Sequence, residues 1–257
     1  MAELNGRPVT LDELQTLALT NYGSFTSLRV DDGRVRGLAM HLERLVRDSR
    51  ILFGVDLDAE HVRELTRKVA PPEGSTTIRV TVFDPSTDLG HPDRATAPHI
   101  LVTQRSAGAL PLPPLSVQST VYERDLPEVK SVGLFGTLHH RRIAQLNGYD
   151  DALFVDAEGA ISEGGTWNIG FFDGDHVIWP DAPALPGVTM LLLQNVHEYR
   201  TARITLADVG RVQAAFATNA AIGVRAIARI DDVQLLADHP IHDILRKRYM
   251  DVPGEPI

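Results

Sequence analysis

Three tight turns limit what this chain can fold into. Asp31-Asp32-Gly33 separates Phe25-Thr26-Ser27-Leu28-Arg29-Val30 from Arg34-Val35-Arg36-Gly37-Leu38, and the Asp-Gly pair supplies the turn an antiparallel hairpin needs. Asp156-Ala157-Glu158-Gly159 joins the apolar run Asp150 to Asp156 to Ala160-Ile161-Ser162-Glu163-Gly164-Gly165. Asp173-Gly174-Asp175 joins Trp167-Asn168-Ile169-Gly170-Phe171-Phe172 to His176-Val177-Ile178-Trp179-Pro180 in the same way. These are strand pairs, and between them lie helical patterns. Met40 to Phe53 carries apolar residues at Leu42, Leu45, Val46 and Ile51-Leu52-Phe53 and stops at Gly54. Asp56 to Val69 reads as a second helix with Asp58 as its cap, Leu11 to Leu19 as a short helix or irregular segment, and Ile241 to Met250 as a C-terminal helix.

Thr76 to Phe83 alternates as a strand that turns Arg79 to the same face as Thr77 and Thr81. After the strand His99 to Arg105, the proline-rich stretch Ala107 to Pro114 is stiff and extended, which suggests a small domain over residues 1–107, a linker over 108–116 and a larger domain over 117–257. At 257 residues and 43% apolar composition the chain can bury a sizeable core. A net charge of −9 argues against non-specific binding of nucleic acid, and the absence of cysteine excludes disulfides and thiolate chemistry. No long apolar run or signal peptide is seen, so neither membrane insertion nor secretion is expected, and a cytoplasmic location is. His91 and His99 have no partner at metal-ligand spacing, so no metal is expected.

Chemistry concentrates between Lys130 and Thr189. Lys130 follows Leu126-Pro127-Glu128-Val129 and precedes the small, apolar Ser131-Val132-Gly133-Leu134-Phe135-Gly136. A buried amine is pushed towards its neutral form, which can form an imine with an aldehyde. Taken alone, the residue also fits an exposed lysine at a helix start. Glu163 precedes two glycines, which leave room for a flat ring. Leu185-Pro186-Gly187-Val188-Thr189 opens the apolar helix Met190 to Val196 with a hydroxyl and backbone N–H groups suited to a phosphate, although a lone Gly-x-Thr is more often a plain helix cap. An imine-forming lysine, an acid for a ring nitrogen and a helix end for a phosphate are together the needs of pyridoxal 5′-phosphate.

The ordered set Asn21-Tyr22-Gly23-Ser24-Phe25-Thr26, His41-Leu42-Glu43-Arg44-Leu45, Lys130, Gly148-Tyr149-Asp150-Asp151-Ala152-Leu153, Ile161-Ser162-Glu163-Gly164, Asn168 and Leu185 to Thr189 resembles the class IV (fold type IV) pyridoxal-phosphate enzymes. That group includes branched-chain and D-amino-acid aminotransferases and 4-amino-4-deoxychorismate lyases. The resemblance implies a two-domain α+β fold, with a small α/β domain followed by a larger β-rich one, and a homodimer. It implies that Lys130 is the catalytic amine that carries pyridoxal 5′-phosphate and then moves a proton on the substrate, while Glu163 keeps the ring nitrogen protonated. Arg44 is implied at the phosphate, with Asn168, Gly187, Val188 and Thr189, and a second phosphate turn matches Thr218, Asn219 and Ala220. Tyr22, Phe25, Thr26 and the strand residue Arg79 are the implied substrate contacts.

Departures from the family pattern bear on the substrate. Amino-acid transaminases usually carry an acid where Thr26 stands and a threonine or serine where Ala220 stands, so Phe25-Thr26 and Asn219-Ala220 resemble the lyases. Gly133 replaces an asparagine common to both groups, and Met190 replaces a frequent arginine. The expectation is an aminotransferase acting on an amino acid or related primary amine. The alternatives are a lyase that expels pyruvate from aminodeoxychorismate and a catalytically silent cofactor-binding dimer.

Overall fold

The computed structural model describes residues 2–257 and divides them into two compact units. Along the chain, β1 (Ala2–Leu4), β2 (Arg7–Pro8), α1 (Leu11–Thr20), β3 (Ser24–Asp31), β4 (Arg34–Val35), α2 (Leu38–Phe53), α3 (Ala59–Val69), β5 (Ser75–Phe83) and β6 (His99–Ser106) come first. Then follow β7 (Leu115–Val121), α4 (Phe135–Leu146), β8 (Asp151–Val155), β9 (Ile161–Gly164), β10 (Asn168–Phe172) and β11 (Val177–Pro180). The chain ends with α5 (Val188–Val196), β12 (Tyr199–Ala202), β13 (Ala214–Asn219), β14 (Gly223–Ile230), β15 (Val233–Gln234), α6 (Ile241–Asp251) and β16 (Glu255–Pro256).

The first unit takes the chain as far as Gly108, then Val129–Gly133 and Pro253–Ile257. Its seven-stranded sheet runs β16-β4-β3-β5-β6-β1-β2, every neighbour antiparallel. Alternation sorts the residues of β3 and β5 into two faces. Leu28, Val30, Ile78, Val80 and Val82 look into a core closed by Leu45 and Phe53 of α2 and by Val62, Leu65 and Val69 of α3. Phe83 and Leu101 face the other way, onto Leu14 and Leu17 of α1. The helix limits follow local chemistry. Thr10 and Glu13 form a reciprocal capping box before α1, Asp58 accepts the N–H groups of Glu60 and His61 before α3, and α2 stops at Gly54 in the left-handed conformation.

Two expectations shift here. The second arm of the first hairpin is only Arg34–Val35, because Leu38 already opens α2, and the long partner of β3 is β5, paired from Ser24↔Val82 to Asp31↔Ser75. A single cut at 108–116 also misses that residues 129–133 and the C-terminal tail return to the first unit, where Glu255–Pro256 pairs with β4.

The second unit is built on a nine-stranded sheet. β7 pairs in parallel with both β8 and β14, and the hairpins β8–β9, β10–β11 and β13–β14 supply antiparallel pairs. β9 also meets β10 through the single pair Glu163↔Asn168, which closes β10-β13-β14-β7-β8-β9 into a small barrel. Leu153, Ile169, Phe171, Ala215, Ala217 and Ile227 belong to its core. On the opposite face of β13, Phe216 is fully buried and meets Trp179 edge to face, with ring centroids 5.3 Å apart. α4 covers Ala152 and Phe154 through Ala144. Among the described residues no helix is long and apolar enough to cross a membrane.

Replacing Phe216 by alanine empties this site and is expected to cost about 3–5 kcal/mol of stability, read from denaturant unfolding. A loss below about 1 kcal/mol would mean that the ring is not packed as described.

Candidate functional site

The expected site residues fall into two sets, one per unit. In the first unit the backbone of Lys130 is held on both sides: its N–H donates to Oδ2 of Asp48 at 3.0 Å and its carbonyl accepts from the Phe25 N–H at 2.9 Å. Ser131 forms a bridge to Ser24, and the Val132 N–H donates to the Gly23 carbonyl at 3.0 Å, so the segment lies along the start of β3. Of the three lysines in the chain, Lys68 and Lys247 are exposed, whereas Lys130 is half-buried. Its Nζ lies 4.9 Å from the centre of the Phe25 ring, and the Arg79 guanidinium lies 3.6 Å from the same ring. Burial, then repulsion from Arg105, lowers the pKa of Arg79. Phe25 and Arg79 therefore share a face.

The other face of β3 carries Thr26, which meets a polar stripe on α2. His41, Arg44 and Asp48, at i, i+3 and i+7, are all buried on one side of this helix. Nη2 of Arg44 donates to Oγ1 of Thr26, and Thr26 in turn lies 2.7 Å from Nδ1 of His41. Because Thr26 accepts from the guanidinium, its own hydrogen goes to Nδ1, which places the imidazole proton on Nε2. Both Nε2 of His41 and Nε of Arg44 are buried without a partner. Burial lowers the Arg44 pKa to about 10, against the pull of Asp48. Burial, followed by repulsion from Arg44 and Lys130, pushes His41 well below its ordinary range. Two buried donors under a positive charge call for an anion.

In the second unit Glu163 is buried, accepts from Nε of Arg124 at 2.8 Å and takes the Leu185 N–H on its other oxygen at 3.3 Å. Arg124 is anchored in turn by a hydrogen bond to the Pro127 carbonyl. Asn168 donates from Nδ2 to the Leu185 carbonyl at 2.7 Å, while its Oδ1 lies where a β-carbon on Gly187 would have to sit. Only glycine lets the turn approach so closely. Beyond Gly187, the N–H groups of Val188 and Thr189 open α5. The hydroxyls of Thr189 and Thr218 are both buried without a partner. Asn219 shapes the turn after β13: its Oδ1 accepts from Ala221 and Ile222, its Nδ2 donates to the Thr166 carbonyl, and Ala220 sits within the turn.

Other residues singled out by the sequence have structural partners. The space beside Gly164 is filled by the indole of Trp167, which sits where a β-carbon would be, so this glycine serves core packing. The Tyr22 hydroxyl is committed to the Leu52 carbonyl at 2.9 Å and its ring meets Phe53 edge on. On α4, Arg141 grips both oxygens of Asp151 and the Thr166 hydroxyl. Three residues gain a part that the sequence alone does not give them: His41, Asp48 and Arg124. The first two carry a signal, a histidine and a carboxylate in register with the apolar stripe of α2. Arg124 carries none.

The family profile described as amino-transferase class IV matches residues 23–230. The chain belongs to the class IV aminotransferase family. It is 27% identical to a probable branched-chain-amino-acid aminotransferase of Rickettsia bellii, over 96% of this chain and 93% of that protein. Its fold is that of a branched-chain aminotransferase of Thermoproteus uzoniensis solved with norvaline (TM-score 0.83, 22% identity, covering 97% of this chain and 93% of that one). It is also that of a putative 4-amino-4-deoxychorismate lyase of Legionella pneumophila (TM-score 0.78, 22% identity, covering 93% and 92%). As a class IV aminotransferase it uses pyridoxal 5′-phosphate. Each unit has polar groups that suit that cofactor: in the second the hydroxyls of Thr189 and Thr218 are buried without a partner, as a phosphate would require, and in the first Nε of Arg44 is a buried donor suited to an anion.

These buried hydroxyls and charges can be tested separately. Thr189→Val and Thr218→Val remove a buried hydroxyl that has no partner, so each should leave apo-protein stability unchanged or raise it by up to about 1 kcal/mol, while weakening cofactor binding roughly tenfold. Calorimetry of the apo-protein and a cofactor titration measure the two effects, and unchanged affinity would remove these hydroxyls from the phosphate site. Because His41 titrates below its ordinary 6.5 in the folded state, the unfolded chain takes up that proton first. Stability should therefore fall as pH drops below 6.5, by up to about 1.4 kcal/mol per unit for this group, and His41→Gln should flatten that slope in denaturant unfolding.

Proposed function

We propose that this protein is an aminotransferase that moves the amino group of an amino acid or related primary amine to a keto acid, with branched-chain amino acids the first substrates to try. The observation that carries the reading is Lys130, the one half-buried lysine, with both backbone polar groups fixed. The full-length likeness to a probable branched-chain aminotransferase supports the substrate class.

When bound, the cofactor supplies an aldehyde for an amine and a ring that draws electrons from the substrate α-carbon. In this reading Nζ of Lys130 would carry the cofactor at rest and, once the substrate amine has taken its place and freed it, would serve as the base that moves the α-proton. Glu163 would hold a proton on the ring nitrogen, with Arg124 keeping that carboxylate oriented. Thr189, Thr218 and the N–H groups that open α5 would hold the phosphate, with Arg44 as its proposed guanidinium ligand, while Asn168 and Asn219 brace the two turns. Arg79, beside Phe25, is the proposed ligand for the substrate carboxylate. Thr26 acts through Arg44, and Tyr22 stiffens the entry to β3 through Leu52. The homodimer implied by the resemblance belongs to the same proposal. Exposed Phe135, Leu138 and Leu146 on α4 give it an apolar face.

One observation favours a second reading. Thr26 stands where transaminases usually carry an acid, so release of pyruvate and aminobenzoate from aminodeoxychorismate is the alternative. Single-turnover mixing of the holoprotein with an amino-acid panel should convert the visible cofactor band and release one keto acid per site. Lys130→Ala should lower that rate about 10²–10⁴-fold. Pyruvate and aminobenzoate from aminodeoxychorismate, with no conversion by any amino acid, would replace the aminotransferase by the lyase.

A further inference from the structure

α2 brings a buried acidic side chain to the backbone of the lysine. Asp48 is fully buried, and its carboxylate is shared between two tasks: Oδ1 takes Nε and Nη2 of Arg47 at 3.1 and 2.7 Å, and Oδ2 takes the backbone N–H of Lys130 at 3.0 Å. The partner of Asp48 thus lies 82 residues along the chain, on a segment joined to β3 by the bridge Ser24↔Ser131. We infer that Asp48 is the positioning residue for Lys130, a role that rests on the proposed use of that lysine.

Backbone geometry gives Asp48 this part. The carbonyl of Lys130 is already taken by the Phe25 N–H, so the Asp48 carboxylate fixes the second backbone group of the same residue and with it the direction in which Cβ leaves the chain. A lysine side chain has four rotatable bonds, and fixing its base narrows where Nζ can go, here to within 4.9 Å of the Phe25 ring centre. A charge-assisted hydrogen bond to a buried carboxylate is stronger than a neutral loop contact, and loss of the acceptor would leave this half-buried N–H unsatisfied. Arg44 stands one helical turn before Asp48 on the same face of α2. A grip on the phosphate and the aim of the amine are thereby set by one rigid element.

The test compares Asp48→Asn, which keeps an acceptor of the same shape, with Asp48→Leu, which keeps the volume alone. Each protein is mixed with pyridoxal 5′-phosphate, and separately with pyridoxal, and quenched with borohydride; the rate of labelling at Lys130 is read by peptide mass. Asp48→Leu should slow labelling roughly tenfold with both probes, while Asp48→Asn should stay within about threefold of the wild type. A merely structural role would give no rescue by asparagine, and wild-type labelling in folded Asp48→Leu, or equal slowing in both variants, would overturn the assignment. Should Asp48→Leu not fold, amide exchange on the wild-type protein decides: the Lys130 N–H should be as protected as the β3 ladder, and exchange at the rate of an open loop would overturn it. Failure of the wild-type protein to label at Lys130 would instead sink the proposed role of the lysine, and amide exchange would then test the Asp48 contact on its own.

Discussion

The second unit depends on one strand pair. Where Glu163 on β9 meets Asn168 on β10, an open curled sheet becomes a closed barrel, and the two polar residues at the seam are buried by that closure. A buried carboxylate and a buried amide are tolerated only if their hydrogen bonds are made, and here they are. Glu163 takes Arg124 and the Leu185 N–H, while Asn168 holds the Leu185 carbonyl. The seam thus fixes the residue 185–187 turn from both of its backbone polar groups at Leu185, and the turn in turn aims the N-terminus of α5. The same contacts that complete the barrel build the cofactor machinery proposed for this unit.

In the first unit a sheet and a helix perform the equivalent task with charge. The apolar residues of β3, β5, α2 and α3 close a core, and one end of that core is given over to Thr26, His41, Arg44 and Asp48. Burying a guanidinium costs more than any of these hydrogen bonds returns singly, which is why the Arg44 pKa is lowered to about 10. Such a group is useful when an anion arrives. Asp48 moderates the charge from the side and binds the Lys130 backbone, so the electrostatics of the helix and the placement of the lysine are a single arrangement.

Much of this is legible in the sequence, for physical reasons that differ by element. Hairpins with Asp and Gly at their turns announce themselves because few other residues take the required backbone angles. α2 and α3 are visible through their periodicity and caps. The pairing of β3 with β5 leaves no local trace, since its specificity lies in two distant alternating faces. Glu255–Pro256 joins a sheet edge with two residues, too few to show a period, and proline there argues against a strand until its edge position is known. Gly164 reads as room for a cofactor ring because the sequence cannot say whose ring; it is that of Trp167. Lys130, Glu163 and the Gly187-x-Thr189 turn stand out through their chemistry. Asp48 does not, because a carboxylate on a helix ordinarily faces water.

Every step of the proposed chemistry passes through Lys130 as the amine that carries the cofactor. With three lysines in the chain, protein labelled with 13C at the lysine Cε positions gives three resolved signals, and Lys130→Arg identifies one of them. On addition of pyridoxal 5′-phosphate, that signal alone should move to the position of an imine-bound lysine. A spectrum in which all three stay in place, or in which the signal of Lys68 or Lys247 moves instead, would contradict it.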